Sequence, residues 1–410
     1  MDMQTGLHGQ AILTINAGSS SIKFSLFLVP QLNQIIAGQI DGIGGEVRFK
    51  VKLASKSTEE TIAWPSASRP QNHREALSFL IDWLHQFAKD IEVVAVGHRV
   101  VHGGQKYSAP TLISDEVMEE LDALMILAPL HEPHNLAGIR AAQESFGGIP
   151  QIACFDTAFH RTHSFVDDCY AIPRYFYEKG VCRYGFHGLS YEYISDRLLQ
   201  MYPKEALKKV IIAHLGNGAS MTALNNGHSI ASTMGFSSLD GLPMGTRCGE
   251  IDPGVLLYMM QHEGMDAGQI AQILYQESGL KGLSGGLSND MRTLEESDLP
   301  EAKEAIDYYV KEVKREIGAL TALMAGLDVV VFTGGIGENS AAIRGRILRE
   351  MAWIGIDLDE DRNLNGEVNI SSDASRVLCL KIHTDEERII ARHTLELSNN
   401  TTVKNKASNV

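Results

Sequence analysis

The sequence predicts an α/β protein built from two related halves. Segments with strand-like and helix-like patterns alternate along the chain, which is typical of sheets covered by helices. A strand, a Gly/Ser loop and a second strand occur at residues 11–29 and again near mid-chain, at residues 210–224. Superposing Gly18 on Gly216 gives an offset of 198 residues (216 − 18), close to half of the 410-residue chain. This repetition indicates a duplication.

The first half begins with a predicted antiparallel meander. Residues 11–50 alternate apolar and polar side chains, with breaks at Pro30 and at the Gly44-Gly45 pair. Further along, helices are predicted at residues 72–89, 114–127 and 136–146, and buried strands at 91–96 and 149–154. The last of these strands delivers Asp156 at its carboxyl end.

The second half opens with a helix at residues 190–201, followed by the repeated strand, loop and strand. Residues 233–250 are Gly-rich and lack a helical or strand-like periodicity. Because this segment is too long for a simple connection, it is a candidate functional loop. Later elements are predicted as helices at 255–263, 266–277, 301–325 and from 341, strands at 228–232, 329–332 and 377–382, and a closing helix. Residues 398–410 are polar and without a pattern, and we expect them to be disordered.

Composition excludes several classes of partner. A formal net charge of −15, from 36 Lys and Arg against 51 Asp and Glu, argues against nucleic acid and anionic membranes. The first ten residues lack the features of a signal peptide, and no apolar run approaches the roughly 20 residues of a membrane span. Five scattered cysteines without a Cys-x-x-Cys motif fit a reduced setting. We therefore expect a cytoplasmic protein whose partners are small molecules.

Three glycine turns suggest a phosphate site. The P-loop and Rossmann signatures are missing, but Gly turns follow strands around Gly18, around Gly216 and at residues 333–340. Such turns bring backbone N–H groups together, and Lys23 adds an ammonium to the first of them. Taken alone, the first loop favours an ordinary hairpin over a phosphate site. The three turns together predict one cleft lined with hydrogen-bond donors.

Five charged or titratable residues are candidates for chemistry. Arg99 and Arg247 lie in Gly-rich contexts, where a guanidinium can grip carboxylate or phosphoryl oxygens; a surface ion pair is the alternative. His187 can donate to a transferring phosphoryl group, or serve as a structural loop histidine. Asp156 and Glu386 each follow an apolar strand, where a carboxylate can hold Mg²⁺, or cap the next helix.

Two look-alike patterns are set aside. The pairs His131/His134 and His160/His163 lack a nearby third ligand, and Pro133 disrupts a helical zinc motif, so structural histidines are favoured. Residues 282–286 match the G-x-S-x-G pattern of hydrolases formally, yet a helix-like segment precedes them where that motif needs a strand.

Nine motifs together resemble one family. In chain order they are NAGSSSIK, GHRVVHGG, APLHEPHN, FDTAFH, YGFHGLS, HLGNGAS, GLPMGTRCGEIDP, FTGGIGENS and TDEE. From about Ile12 to Ala391 the chain resembles acetate kinases, within the short-chain carboxylate kinases of the sugar kinase, Hsp70 and actin superfamily. The resemblance implies a duplicated actin-like (ribonuclease H-like) ATPase core, an interdomain cleft and a homodimer. We expect one domain at 1–157 completed by 388–410, and a nucleotide-binding domain at 158–387.

The resemblance also implies roles for individual residues. Arg99 and Arg247 match arginines that hold the carboxylate and the transferring phosphoryl group. His187 matches a histidine that steadies this group, and Asp156 the catalytic carboxylate. The other matches are Ser19, Ser21 and Lys23 near the phosphates; His214, Gly216, Asn217, Gly218, Asp290, Arg292, Gly335 and Asn339 around the nucleotide; Val101, Leu130 and Phe186 around the acetate methyl; and Asn16 and Glu386 at the metal, Mg²⁺ or Mn²⁺.

Three positions depart from the family pattern. Ser238 stands where many members have proline, which bears on the acyl length accepted. Met291 replaces an aromatic residue near the base, and Asp385 stands where asparagine is usual.

The sequence thus predicts the reaction ATP + acetate ⇌ ADP + acetyl phosphate by direct in-line transfer. A carboxylate is already ionised at pH 7, so the attacking oxygen needs no general base. Cations and donors at fixed positions must instead offset the repulsion between two anions. The alternatives are a propionate or butyrate kinase on the same scaffold, and a nucleotide-binding regulator without kinase activity.

Overall fold

The computed structural model describes residues 8–18, 20–54, 56, 59–62, 64, 69–128 and 131–407, with side chains described up to residue 399. It is a mixed α/β structure with two sheets, so the predicted fold class is confirmed. The chain divides into two compact units. Unit 1 extends to Phe159 and resumes at Asp385, and unit 2 comprises His160–Thr384.

Strands dominate the beginning of unit 1, whereas helices dominate unit 2. The strands are β1 (Gly9–Ala17), β2 (Ser21–Leu28), β3 (Asn33–Asp41), β4 (Arg48–Leu53), β5 (Glu59–Ile62), β6 (Ile91–Val100), β7 (Thr111–Leu112), β8 (Gln151–Phe155), β9 (Lys209–Leu215), β10 (Ala219–Asn225), β11 (His228–Ser232), β12 (Val329–Thr333) and β13 (Leu378–Lys381). The helices are α1 (His73–Phe87), α2 (Asp115–Leu124), α3 (Glu132–Ser145), α4 (Phe165–Asp168), α5 (Tyr175–Glu178), α6 (Gly188–Met201), α7 (Pro253–Gln261), α8 (Ala267–Gln272), α9 (Gly279–Leu283), α10 (Met291–Glu295), α11 (Pro300–Leu323), α12 (Gly334–Asn339), α13 (Ala341–Leu348), α14 (Glu360–Leu364) and α15 (Glu386–Ala407).

The sheet of unit 1 has the strand order β5-β4-β3-β2-β1-β6-β8-β7. Strands β1 to β4 form the antiparallel meander predicted for residues 11–50, and β5 extends it by one strand that was not predicted. Strand β6 runs parallel to β1, and β8 runs parallel to β6. The β1–β2 turn is closed by the Gly18 N–H, which donates to the Ser21 carbonyl at 2.8 Å. Helix α15 packs on β1 and β6, and Gly97 allows this approach because a Cβ there would collide with Ile390 and Thr394.

The sheet of unit 2 repeats the centre of the first sheet. Its order is β11-β10-β9-β12-β13, with β12 parallel to β9 and β13 parallel to β12. The strands β3-β2-β1-β6-β8 have the same order and the same relative directions. The turn after β9 is closed by the Gly216 N–H, which donates to the Gly218 carbonyl at 3.1 Å. The duplication predicted from Gly18 and Gly216 is confirmed.

Several segments differ from the sequence prediction, among them the following three. Helix α3 begins four residues before the predicted start at 136, because Pro133 suits a first helical turn, where no N–H is needed. Residues 334–339, predicted as a turn, form the helix α12. Helix α15 reaches Ala407, so the prediction of disorder is wrong for residues 398–407. None of the helices in the described ranges is both long and apolar enough to cross a membrane.

Candidate functional site

An ion pair in unit 1 lies at the carboxyl ends of two neighbouring strands. Arg99 is the penultimate residue of β6, and Asp156 follows directly after β8, which runs parallel to β6. The Arg99 Nε donates to both carboxylate oxygens of Asp156 at 3.1 Å, and Nη2 adds a third bond. The Asp156 side chain is 1% exposed and that of Arg99 is 22% exposed, so this is a largely buried pair and not a surface one.

Two further oxygen-bearing side chains surround the same guanidinium. The Arg99 Nη1 donates to the Asn16 Oδ1 at 3.2 Å, and the Glu386 Oε2 lies 3.9 Å from Nε. Burial alone would lower the pKa of Arg99, but the carboxylates of Asp156 and Glu386 raise it above its ordinary value. Arg99 therefore stays cationic. Four predicted site residues meet here, although they are far apart in sequence.

The remaining predicted residues of unit 1 lie around this cluster or outside the described part. Lys23 is directly opposite Asn16 across the β1–β2 hairpin. The Ser21 hydroxyl lies close to Gly18, because a Cβ built on Gly18 would be 3.2 Å from the Ser21 Oγ. Val101 is buried, and its N–H donates to the Asn135 Oδ1 at 2.9 Å. Ser19 and Leu130 are predicted site residues that lie outside the described residues.

A second cluster, in unit 2, brings together Arg247, His187 and the glycine turn after β9. A Cβ built on Gly218 would lie 2.9 Å from the Arg247 Nη2 and 3.3 Å from the His187 Nε2. The Arg247 Nη1 donates to the Ser238 carbonyl at 2.9 Å. Both side chains thus present a nitrogen to the same point above Gly218. Two donors converging on one point suit an oxygen-rich anion.

His187 is held in an unusual backbone conformation. Its φ of 58° is left-handed, which a residue with a Cβ seldom adopts. Its Nδ1 lies 2.8 Å from the Ser220 Oγ, and Ser220 also bonds to the Tyr191 hydroxyl. Its ring stacks on His214, with centroids 4.4 Å apart. These contacts fix both the position and the orientation of the imidazole.

Filling the point above Gly218 tests whether it is used. We expect Gly218→Ala to lower kcat about tenfold or more, because the new methyl displaces two nitrogens that must be in place for reaction. Gly318→Ala is the matched control, since a Cβ there meets nothing within 4 Å. Steady-state kinetics on both variants measure kcat, and their unfolding temperatures show whether a loss of kcat reflects a loss of stability. Equal kcat values in the two variants would contradict a role in the reaction for the point above Gly218.

A cavity of about 440 Å³ in unit 2 lies beside this cluster, a volume typical of small-ligand sites. Six residues predicted to contact a nucleotide line it: Gly216, Asn217, Asp290, Arg292, Gly335 and Asn339. Met291 lines it as well and supplies an apolar surface. Asp290 caps α10 and pairs with Arg292 at 3.2 Å. The predicted acyl-pocket residue Phe186 is buried in unit 2, beside His187.

Sequence reasoning missed the residues that support the third glycine turn. The Glu338 Oε1 accepts from the backbone N–H of Gly334 at 2.9 Å, inside the short helix α12. The fully buried Arg344 donates from Nη1 to the Gly337 and Glu338 carbonyls at the end of this helix. Arginine at position 344 looks like one more cation of an amphipathic helix, so no sequence signal marked it.

Sequence reasoning also missed Glu132, although it lies within the APLHEPHN motif. Its Oε2 accepts from the His102 N–H at 3.3 Å, and the side chain is fully buried. Burial raises the pKa of Glu132 to about 8, and the charge of Asp156 adds to the rise. At pH 7 this carboxyl is therefore mostly protonated.

The raised pKa of Glu132 makes stability depend on pH. Between about pH 4.3 and pH 8 the folded chain binds a proton that the unfolded chain has lost, so the unfolding free energy falls as pH rises. The slope from this group is at most about 1.4 kcal/mol per pH unit. Urea unfolding from pH 5.5 to pH 8 should show a shallower decline for Glu132→Gln than for the wild type. If the unfolding free energies of the two proteins fall equally as pH rises, the raised pKa of Glu132 is contradicted.

Comparisons with known proteins agree on one family. The profile described as "Acetokinase family" matches residues 11–392. The acetate kinase of Methylocella silvestris is 52% identical over 397 residues, covering 95% of this chain and 98% of that protein. The acetate kinase of Nitrobacter hamburgensis is 50% identical, with 94% and 96% covered.

Solved structures give the same result. The crystal structure of Porphyromonas gingivalis acetate kinase superposes with a TM-score of 0.85 at 35% identity, covering 95% of this chain and 100% of that one. The structure of a propionate kinase from Francisella tularensis superposes with a TM-score of 0.87 at 36% identity, covering 94% and 99%.

Proposed function

The chain belongs to the acetokinase family, a family of phosphotransferases whose acceptor is a carboxylate, and we propose that it transfers the γ-phosphoryl group of ATP reversibly to acetate. The two sheets are the duplicated actin-like ATPase core of this family. The observation that carries the proposal is the convergence of Arg247 and His187 on one point above the Gly216–Gly218 turn. A nucleotide-binding regulator has no need of this arrangement.

The residues of unit 2 serve the phosphoryl group and the nucleotide in this mechanism. The cavity beside Gly216 and Gly335 takes the base and ribose, and the turn after β9 takes the phosphates. Arg247 and His187 donate to oxygens of the phosphoryl group as it moves between two anions. The two side chains offset the charge of the phosphoryl group from fixed positions and need not rearrange during the reaction. Such preorganised electrostatic stabilisation is the main source of catalysis in phosphoryl transfer.

The residues of unit 1 serve the acceptor. Arg99 holds the acetate carboxylate, with Asp156 fixing the plane of the guanidinium by the bonds to Nε and Nη2. Asp156 is not a general base, since acetate is already ionised at neutral pH. Val101, Leu130 and Phe186 are each proposed to contact the methyl group of acetate.

Mg²⁺ fits the oxygen donors of the first cluster. Asn16 offers an amide oxygen and Glu386 a carboxylate, and among the described residues no larger set of acidic or histidine ligands is grouped. Mg²⁺ characteristically binds few protein ligands, together with water and substrate phosphates. Asn16 and Glu386 would hold it, and when bound it neutralises charge on the nucleotide phosphates.

Trapping with hydroxylamine tests the proposed function. Purified protein with MgATP and acetate should give acetyl hydroxamate, with kcat/KM for propionate and butyrate lower than for acetate. One extra methylene changes pocket binding by about 1–3 kcal/mol, or roughly 10–200-fold. A higher kcat/KM for propionate would reassign the chain to the propionate kinases, and no hydroxamate with any of the three acids would refute the proposal.

A homodimer is proposed as the working assembly, and the cytoplasm, where ATP is supplied, as its location. Helix α7 supports the dimer because none of its residues is buried within the chain, although it carries Leu257, Tyr258 and Met260, each more than half exposed. We expect light scattering after gel filtration to give twice the 44.9 kDa of the chain. Leu257→Asp with Met260→Lys should give a species with the mass of one chain.

A further inference from the structure

Behind the left-handed His187 lies a group of buried polar side chains that the proposed mechanism does not use. It consists of His160, His163, Asp168 and Ser229, all in unit 2. His160 is fully buried, Ser229 is 2% exposed, and the side chains of His163 and Asp168 are 2% and 7% exposed. Buried polar groups of this kind are kept only where they are hydrogen-bonded. The bonds lead to the backbone beside His187.

His160 contacts the backbone of the two residues that precede His187. Its Nε2 lies 3.1 Å from the Phe186 carbonyl oxygen. Its ring lies directly against Gly185, where a Cβ would collide with it. Gly185 itself has a φ of 72°, so this turn depends on glycine at that position for two reasons.

His160 also touches the side-chain support of His187. Its ring packs edge-on against Tyr191, with centroids 5.6 Å apart. The Tyr191 hydroxyl bonds to Ser220, and the Ser220 Oγ is the partner of the His187 Nδ1. The position of His160 therefore affects both the backbone and the ring of His187.

The protons in this group can be assigned from the bonds. A carbonyl oxygen only accepts, so the His160 Nε2 carries a hydrogen. Burial lowers the pKa of His160 to about 3, which leaves the ring neutral and its Nδ1 an acceptor. The Ser229 hydroxyl lies 2.8 Å from this Nδ1 and donates its only hydrogen to it.

The same accounting extends to His163. Its Nε2 lies 2.9 Å from the Ser229 Oγ, whose hydrogen is already used, so this nitrogen donates. Its Nδ1 lies 3.1 Å from a carboxylate oxygen of Asp168. The Thr222 hydroxyl, 3.1 Å from Ser229, donates to the Ala231 carbonyl. Asp168 thus holds the His163 ring in place, and Arg161 contacts the other oxygen of that carboxylate at 3.5 Å.

We propose that His160 is a positioning residue for His187, held in its donating tautomer by Ser229, His163 and Asp168. A left-handed backbone conformation is strained for a residue other than glycine and persists only where its surroundings hold it. The His160 bond to the Phe186 carbonyl fixes the peptide that leads into His187. The tautomer matters because a His160 with its hydrogen on Nδ1 has no donor for that carbonyl. This inference rests on the proposed function, in which His187 steadies the phosphoryl group.

Kinetics distinguish positioning from mere stability. We expect Ser229→Ala and His160→Leu to lower kcat about 10–100-fold, because a displaced catalytic group costs this much. The KM values for ATP and acetate should change less than about twofold, since His187 acts on the group in transfer. His160→Gln should restore part of kcat, because its side-chain amide can still donate to the Phe186 carbonyl.

Ser371→Ala is the matched control for Ser229→Ala. Ser371 is also 2% exposed, and it bonds to Asn369 and to the Cys379 N–H, away from His187. Both variants should lose similar thermal stability, and only Ser229→Ala should lose kcat. If Ser229→Ala and His160→Leu lose stability and keep kcat, His160 is not a positioning residue.

A second measurement needs no activity. In protein with ¹⁵N-labelled histidine, NMR should show a neutral ring with its hydrogen on Nε2 that is missing from His160→Gln. The His187 ring signals should shift in Ser229→Ala. If the protein gives these spectra but makes no acyl phosphate, the positioning of His187 by His160 is supported and the proposed function is refuted. An active enzyme whose His160 carries its hydrogen on Nδ1 would overturn the positioning alone.

Discussion

Replacing Arg247 with alanine is expected to lower kcat about 10²-fold or more. The guanidinium presents Nη2 to the point above Gly218, and its Nη1 bond to the Ser238 carbonyl fixes its plane. Loss of one preorganised donor to transition-state charge typically costs about 10²–10³ in kcat. Initial rates at saturating ATP and acetate measure this effect.

Two further variants define what the arginine supplies. Arg247→Lys keeps the charge but not the fixed pair of donors, so we expect it to recover only part of the rate. Arg349→Ala is the control, because Arg349 is 52% exposed and pairs with Glu360 at 2.7 Å on the surface of unit 2. If Arg247→Ala raises KM and leaves kcat unchanged, Arg247 binds substrate uniformly and does not stabilise the transferring group.

Breaking the pair of Arg99 and Asp156 should have the largest effect on stability as well as a large effect on rate. Asp156→Ala leaves a guanidinium without its buried partner, and removing one member of such a pair costs about 3–5 kcal/mol of unfolding free energy. We also expect kcat to fall at least about 10²-fold, because Arg99 is no longer oriented toward the carboxylate substrate.

A double variant separates these two effects. Arg99→Met combined with Asp156→Leu replaces the pair with apolar side chains and should recover most of the unfolding free energy. It should not recover activity, since neither side chain can bind a carboxylate. Urea unfolding and kcat on the same preparations provide the comparison. Activity that returns together with stability would show that the pair is structural.

Much of the fold could be predicted from the sequence because the patterns that predict it are local. The repeated turn at Gly18 and Gly216 and the alternation in residues 11–50 depend on neighbouring residues, and the structure confirms both. Arg99 was a candidate because of its Gly-rich context and Asp156 because it follows an apolar strand, although their contact depends on β6 and β8 being neighbours.

Other features depend on contacts that no local pattern shows. Helix α12 is held by Arg344 from the next helix, so residues 334–339 looked like a turn. His160 and His163 were predicted to be structural, and their bonds to Ser229 bridge more than sixty positions of sequence. The burial of Glu132 follows from tertiary packing, and its sequence neighbours gave no indication of it.

The most direct test of the proposed reaction is its stoichiometry. Purified protein is incubated with MgATP, with and without acetate, and the products are followed by ³¹P NMR. The proposed mechanism predicts one acetyl phosphate for each ADP formed, no ADP without acetate, and reformation of ATP when ADP and acetyl phosphate are supplied. ADP and inorganic phosphate formed equally well without acetate would contradict it.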